Sequence, residues 1–472
     1  MSSVVCLTPE PDVLPSRRFE LEAVRNGSIE PRLDVMVRSS RSGMDARGCR
    51  VSGATPAALQ AYEEAFATFI GWRNGAEAPL ARALQEAPAF VMARALQAWQ
   101  LLLSRDPRRV GSARPLLAQA ARLPANERER LHLRAIAGVL DDDYEGAKAT
   151  LGALLRGQPR DALALQAAHA LDYVTGDSAR MHERVAAVLP AWSSELPGYP
   201  AVLAMHAFAL EECGDYERAE QAARAALELD ATDARAHHVM AHVFEMTGRA
   251  EAGVRWLNEH LAGWSGDTVV ATHCWWHLAL FHLSRGRWED ALALYDQRVR
   301  ASRSGEVGAL IDAASLLWRI VLQGGDAGAR WSELAAAWES HIDDGFCSFN
   351  DLHAMLAFVG ARDWELAQRL ERALRRRWWQ PTRHGNTTRQ LGLPACRALI
   401  AFGRGQDALA IGLLASLPPH AHRLGGSHAQ RDVLQLTLRQ ALERTQELAQ
   451  PSRTDEGRLV AHAEPDTPSP RR

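Results

Sequence analysis

The chain has 472 residues, of which 47% are hydrophobic, and a formal charge of -3. That balance excludes a broad polyanion-binding face, which shows itself as a basic excess. No run approaches the ~18 to 20 uninterrupted apolar residues that a membrane span needs. Six cysteines (Cys6, Cys49, Cys213, Cys274, Cys347 and Cys396) lack any C-x-x-C spacing. They read as reduced thiols in a cytoplasmic protein, not as a disulfide framework or zinc ribbon. The first residues carry neither the basic start nor the apolar stretch of a secretory leader.

Residues 1–45 are rich in Arg, Ser and Pro without a sustained apolar period, and are expected to be mostly disordered. Residues 449–472, with Pro451, Pro465, Pro468 and Pro470, read the same way. Between them, over 46–448, apolar residues recur at helical spacing, and Gly and Pro fall at the joints. No alternating strand pattern stands out.

The helical region repeats itself. Gly214-Asp215-Tyr216-Glu217-Arg218-Ala219, continued to Ala226, places a turn glycine, an aromatic residue and small alanines in a fixed frame. Glycine permits the tight turn between two helices, the aromatic packs back across it, and alanines let two helices cross closely. The frame returns at Gly248, 34 residues later, and at Gly286-Arg287-Trp288. It also fits Asp143-Tyr144, Gly176-Asp177, Asp363-Trp364 and Gly403 through Ala408. A period of 34 residues with this pattern is the tetratricopeptide signature. The expected fold is all-α, a right-handed superhelix of tetratricopeptide-like helix-turn-helix repeats forming one cooperative array.

The same register assigns the inner face of each first helix. Before Gly248 it selects Arg235, His238, His242 and Glu245. Before Gly214 it selects Glu211, with Glu212 beside it. Before Gly286 it selects His273 and Trp276, with His277 one turn after His273. His238/His242 and His273/His277 are thus i,i+4 pairs, each on one helix face. Neighbouring helices pack about 8–10 Å apart, so the four rings can converge. Such a cluster can be a metal site, a polar pocket for a peptide or small molecule, or a set of internally satisfied side chains. It lacks the H-E-x-x-H arrangement of zinc proteases.

Further polar residues approach this face: His169, Asp172, Asp312, Ser315, Arg319, Asn350, Asp351 and His353. For Asn350 and Asp351 a helix N-cap is an equal alternative. Gly425-Gly426-Ser427-His428 lacks the ending of a phosphate loop. Ser427 with Gln430 reads as a capping box, which leaves His428, Arg431 and Asp432 on one turn. Arg375 through Trp379 reads as a helix C-terminus whose cations face the dipole and whose tryptophans are packed.

The blocks Phe208 to Gly214, His237 to Met246, His273 to Leu280, Ile311 to Arg319, Phe349 to Ala354 and Gly425 to Asp432 resemble the tetratricopeptide repeat protein 38 family. The resemblance runs in order over about residues 45–445. It implies the same polar residues at His238, His242, Glu245, His273, His277, Asp312, Asp351, His353 and Asp432, with some latitude at His428, and it implies no reaction. The ligand-facing set is therefore Glu211, His238, His242, Glu245, His273, Trp276, His277, Asp312, Arg319, Asp351, His353, Arg431 and Asp432. Two functions follow. One is a helical-repeat binding protein whose His/Glu-rich concave groove takes a peptide, protein or small-molecule ligand. The other is a metal-dependent or acid-base enzyme built on the same cluster. The candidate cofactor is a divalent metal on His238, His242, His273 and His277. Nucleic acid and membrane are not expected partners.

Overall fold

Left-handed turn residues divide the chain into helical hairpins. The computed structural model describes residues 42–104 and 106–449, so the disorder expected at 1–41 and 450–472, and Cys6, lie outside the described residues. Gly176, Gly214, Gly248 and Gly286 all have positive φ, from 68° to 82°. An aspartate follows the turn residue in four of the repeats. Asp143, Asp177, Asp215 and Asp363 each accept a backbone N–H of the next helix's first turn and so cap it. Two repeats lack the glycine, and there Asp142 (φ 62°) and Arg362 (φ 55°) take the left-handed position. In the last repeat the turn falls on Gly405 (φ 69°), two residues later than Gly403, which ends the preceding helix.

The resulting pairs include Tyr199–Glu212 with Tyr216–Leu229, Ala234–Met246 with Ala250–Glu259, and Ala271–Ser284 with Trp288–Leu294. First and second helices differ in burial. In Ala234–Met246 every residue from Ala234 to Phe244 is buried, whereas Ala250–Glu259 buries Gly253 and Leu257 alone. Helices that are buried on every side belong to the inner layer, and those with one apolar stripe form the outer layer. This is an all-α helical-repeat superhelix of the tetratricopeptide type.

The inner face is covered by segments that flank its helices on both sides in the chain, residues 72–74 and 425–432. From the N-terminal side, Trp72 packs against His238 with ring centroids 5.8 Å apart, and Arg235 lies over the Trp72 ring at 4.2 Å. Asn74 donates to Asp267 Oδ1 at 2.8 Å, and Arg73 forms a β-bridge with Thr268. From the C-terminal side, Tyr173 Oη donates to Gln430 Oε1 at 3.0 Å, and Arg431 reaches Glu212 at 3.5 Å. Ser427 caps the short His428–Arg431 helix in a capping box with Gln430, as its sequence predicts.

Four local expectations need correction. Residues 42–44 and 50–52 form a small antiparallel hairpin where the sequence shows no strand. It is too short to display alternation and is held by charge: Arg128 reaches Asp45 at 3.1 Å and Asp161 at 2.6 Å. This hairpin also spans the expected start of the array at residue 46. Asn350 and Asp351 are not caps, because their helix starts at Ser348 behind Cys347, which makes no side-chain cap. Trp379 is 77% exposed rather than packed, although Arg375, Arg376 and Arg377 do occupy the last helical turn.

Backbone strain at the turns is measurable. A left-handed non-glycine residue costs about 1–2 kcal/mol. Exposed Arg362→Gly should stabilise the protein by about 0.5 kcal/mol, the remainder being offset by unfolded-state entropy. Gly176→Ala should destabilise it by at least about 1–2 kcal/mol, because its φ is 73° and a Cβ would meet the His422 carbonyl oxygen at 1.9 Å. Urea unfolding of the two variants checks both signs.

Candidate metal centre

Two inner helices, Ala234–Met246 and Ala271–Ser284, lie side by side and bring four imidazoles together. One nitrogen from each of His238, His242, His273 and His277 falls within 4.8 Å of the others. His242 Nε2 is 3.0 Å from His238 Nε2. The ring centroids of His242 and His277 are 4.5 Å apart, and those of His273 and His277 are 4.8 Å apart. His242 and His277 are fully buried, and His238 is 5% exposed.

Carboxylates stand behind the rings. His273 Nδ1 is 2.9 Å from Asp312 Oδ1, and His277 Nδ1 is 2.6 Å from Glu245 Oε2. Glu211 Oε2 lies 3.6 Å from His242 Nδ1. A carboxylate on Nδ1 fixes the tautomer that leaves the Nε2 lone pair free, which is how metal-binding histidines are commonly oriented. His277 Nε2 is buried with no hydrogen-bond partner in the protein. Trp276 stacks on His273 at 5.0 Å and 11°, and Phe208 packs against His238 and His242.

Electrostatics distinguishes the rings at the centre. Burial, then the neighbouring imidazoles, holds His238 and His277 well below the usual histidine range. For His242, burial acts downward, but Glu211 outweighs it and the net shift is upward. Burial, then Asp432, pushes the Glu245 carboxyl up to about 8 against the opposing pull of His242 and Arg319. Arg235 is a buried cation, brought down to about 10 by burial. Its Nη2 donates to Gln166 Oε1 at 2.5 Å, while its Nε and Nη1 have no partner in the protein.

Most of the residues assigned to the inner face meet here. Glu211, Glu245, Asp312 and Trp276 contact the four histidines directly. Arg319 lies over the Trp276 ring at 5.4 Å and pairs with Asp432, which sets both at the rim. Arg431 joins through Glu212. Asp351 and His353 bond elsewhere. Asp351 pairs with His384 at 3.0 Å beside Thr388, and His353 Nδ1 donates to its own helix at Phe349 O. His169 bonds Met205 O, and Asp172 pairs with Arg184 at 2.8 Å. The repeat register misses Trp72, which comes from the opposite end of the array and carries no local signal beyond its positive φ of 57°.

No family model matches the chain. Among solved structures it is similar to the TPR domain of P58(IPK), with 14% sequence identity over 73% of this chain and 88% of that chain and a TM-score of 0.22. The helical-repeat class rests on the helix order and turn register described above.

One buried histidine outside the cluster gives a clean pH test. Burial, then Arg235, lowers His169 from 6.5 to about 3. Below pH 6.5 the unfolded chain takes up a proton that the folded chain refuses, so stability falls as pH falls, by at most about 1.4 kcal/mol per pH unit. Between pH 7 and 5 the wild type should lose up to about 2 kcal/mol more than His169→Gln. Urea midpoints at the two pH values measure the difference.

Proposed function

We propose that this chain is a helical-repeat binding protein whose enclosed centre holds a divalent transition metal on His238, His242, His273 and His277. One observation carries the reading: four imidazole nitrogens within 4.8 Å of one another, drawn from two i,i+4 pairs on adjacent helices. A transition ion sits about 2.0–2.1 Å from each histidine nitrogen, and small side-chain shifts close the remaining distance. Asp312 and Glu245 supply the outer carboxylates such sites use. Imidazole donors suit zinc, copper, iron or nickel, whereas calcium and magnesium prefer oxygen. Neutral His238 and His277 need lose no proton before binding, which favours affinity near neutral pH.

A peptide lying along the histidines is less well supported, because the chain's own segments cover them. Helical-repeat arrays nonetheless bind partners along their extended faces, and a protein or peptide partner elsewhere on this array fits that class. A small anionic ligand beside the metal is a second reading, favoured by the two unpartnered N–H groups of buried Arg235. A metal-dependent reaction would use the same cluster. Membership of the tetratricopeptide repeat protein 38 family is proposed on the polar residues of the six blocks. A cytoplasmic location is supported by the free thiols of Cys49, Cys213, Cys274, Cys347 and Cys396. No described helix is long and apolar enough to cross a membrane.

Elemental analysis of the purified protein, as isolated and after reloading with zinc, tests the metal. The wild type should carry at least one equivalent, and a His238→Ala/His273→Ala variant should lose it. Absence of metal above background after reloading would remove the site. Free zinc at 100 times its dissociation constant should also stabilise the wild type by about 2.7 kcal/mol, seen as a melting shift that the double variant lacks.

A further inference from the structure

The carboxylates behind the histidines are not equivalent. Asp312 and Glu245 sit at hydrogen-bond distance from their rings, 2.9 and 2.6 Å. Glu211 Oε2 stands 3.6 Å from His242 Nδ1, beyond a hydrogen bond. Glu211 is 0% exposed, and neither of its carboxylate oxygens has a hydrogen-bond partner in the protein; His242 Nδ1 has none either. A carboxylate withdrawn from water without a hydrogen bond is a costly arrangement. Two donors each about 2.1 Å from one ion are themselves about 3.4–3.6 Å apart at tetrahedral to trigonal angles. The gap that is too long for a hydrogen bond is the right length for a shared cation.

Glu212 completes the set. Glu211, Glu212 and His242 each offer a ligand atom within 4.8 Å of the others, and all three are buried. Glu212 Oε1 accepts the His428 backbone N–H at 3.2 Å, while Oε2 lies 3.3 Å from His428 Nδ1 and 3.5 Å from Arg431. Those contacts orient it and leave lone pairs for an ion. A cavity of about 390 Å³, lined by Tyr173, Ser178, Met181, Glu212, His428 and Arg431, opens onto Glu212. His242 therefore faces two ways. Its Nε2 joins the four-histidine cluster, its Nδ1 faces Glu211, and Glu212 lies within reach of the same ring.

We propose a second cation seat on Glu211, Glu212 and His242 Nδ1, so that the centre is dinuclear and His242 is the imidazole bridge between its two ions. The proposal rests on the four-histidine site being a metal site. Two carboxylates and one imidazole suit a first-row transition cation, and a bridging imidazole must give up both ring protons, so loading both seats releases protons.

Copper(II) loading of the full chain tests this, with metal content by elemental analysis and spin state by electron paramagnetic resonance. The expected wild type binds two equivalents, and its signal is diminished because the bridging ring couples the two spins. Glu211→Gln should bind one equivalent and show the full uncoupled signal of a nitrogen-ligated copper. Glu212→Gln, whose carboxylate already has other partners, should weaken the second equivalent about tenfold or more. If Glu211→Gln does not fold, the wild-type spectrum decides alone. One equivalent in the wild type, with an uncoupled signal, would overturn the second seat and leave the four-histidine site standing. Two equivalents without spin coupling would place the second ion elsewhere and also overturn it. No bound copper at all would overturn the four-histidine site itself.

Discussion

Inner helices enclosed on every face have no water to turn their polar side chains toward. In this protein the constraint falls hardest on Ala234–Met246, which carries His237, His238 and His242 within a fully buried stretch. Each buried polar group needs a partner inside the fold. His237 finds the Ala231 carbonyl at 3.0 Å. His238 and His242 find each other, and the neighbouring helix offers His273 and His277. The chemistry of the centre follows from closing a repeat array over histidine-bearing helices.

Closure comes from outside the repeat pattern. Trp72 and Arg73 from one end, and Gly425 through Asp432 from the other, fill what an open array would leave as a groove. The C-terminal cover brings chemistry as well as bulk: Arg431 and His428 reach Glu212, and Asp432 pairs with Arg319 at the rim. A substitution in this cover therefore acts on the charge balance of the centre as well as on packing.

The charges around the centre are arranged in layers. Imidazoles occupy the middle, carboxylates stand behind them, and arginines lie farther out. Burial lowers His238 and His277, and burial with Asp432 raises Glu245, so at these three groups the protein limits the charge it encloses when no ion compensates it. A divalent ion reverses that preference, because it favours ionised carboxylates and neutral or deprotonated rings. Glu211, buried without a hydrogen bond, is the group that such an ion would change most.

Periodicity alone determined the helical-repeat class, the register of the turns and the pairing of His238 with His242 and of His273 with His277. These depend on short-range geometry: 3.6 residues per helical turn, and a left-handed residue at the turns within the helical hairpins. Even there the signal thins where Asp142 and Arg362 replace the turn glycine. The small N-terminal hairpin was invisible, since its strands are three residues long and held by ion pairs with distant helices. Asp351 and His353 were expected to approach the same face but bond elsewhere, because a place on a helix does not fix a partner. The tertiary structure decided that the inner face is enclosed, that Trp72 packs against His238, and that Glu211 stands at 3.6 Å while Glu245 stands at 2.6 Å. Those facts depend on contacts between residues more than 30 positions apart in the chain, whose distances arise only when the helices pack.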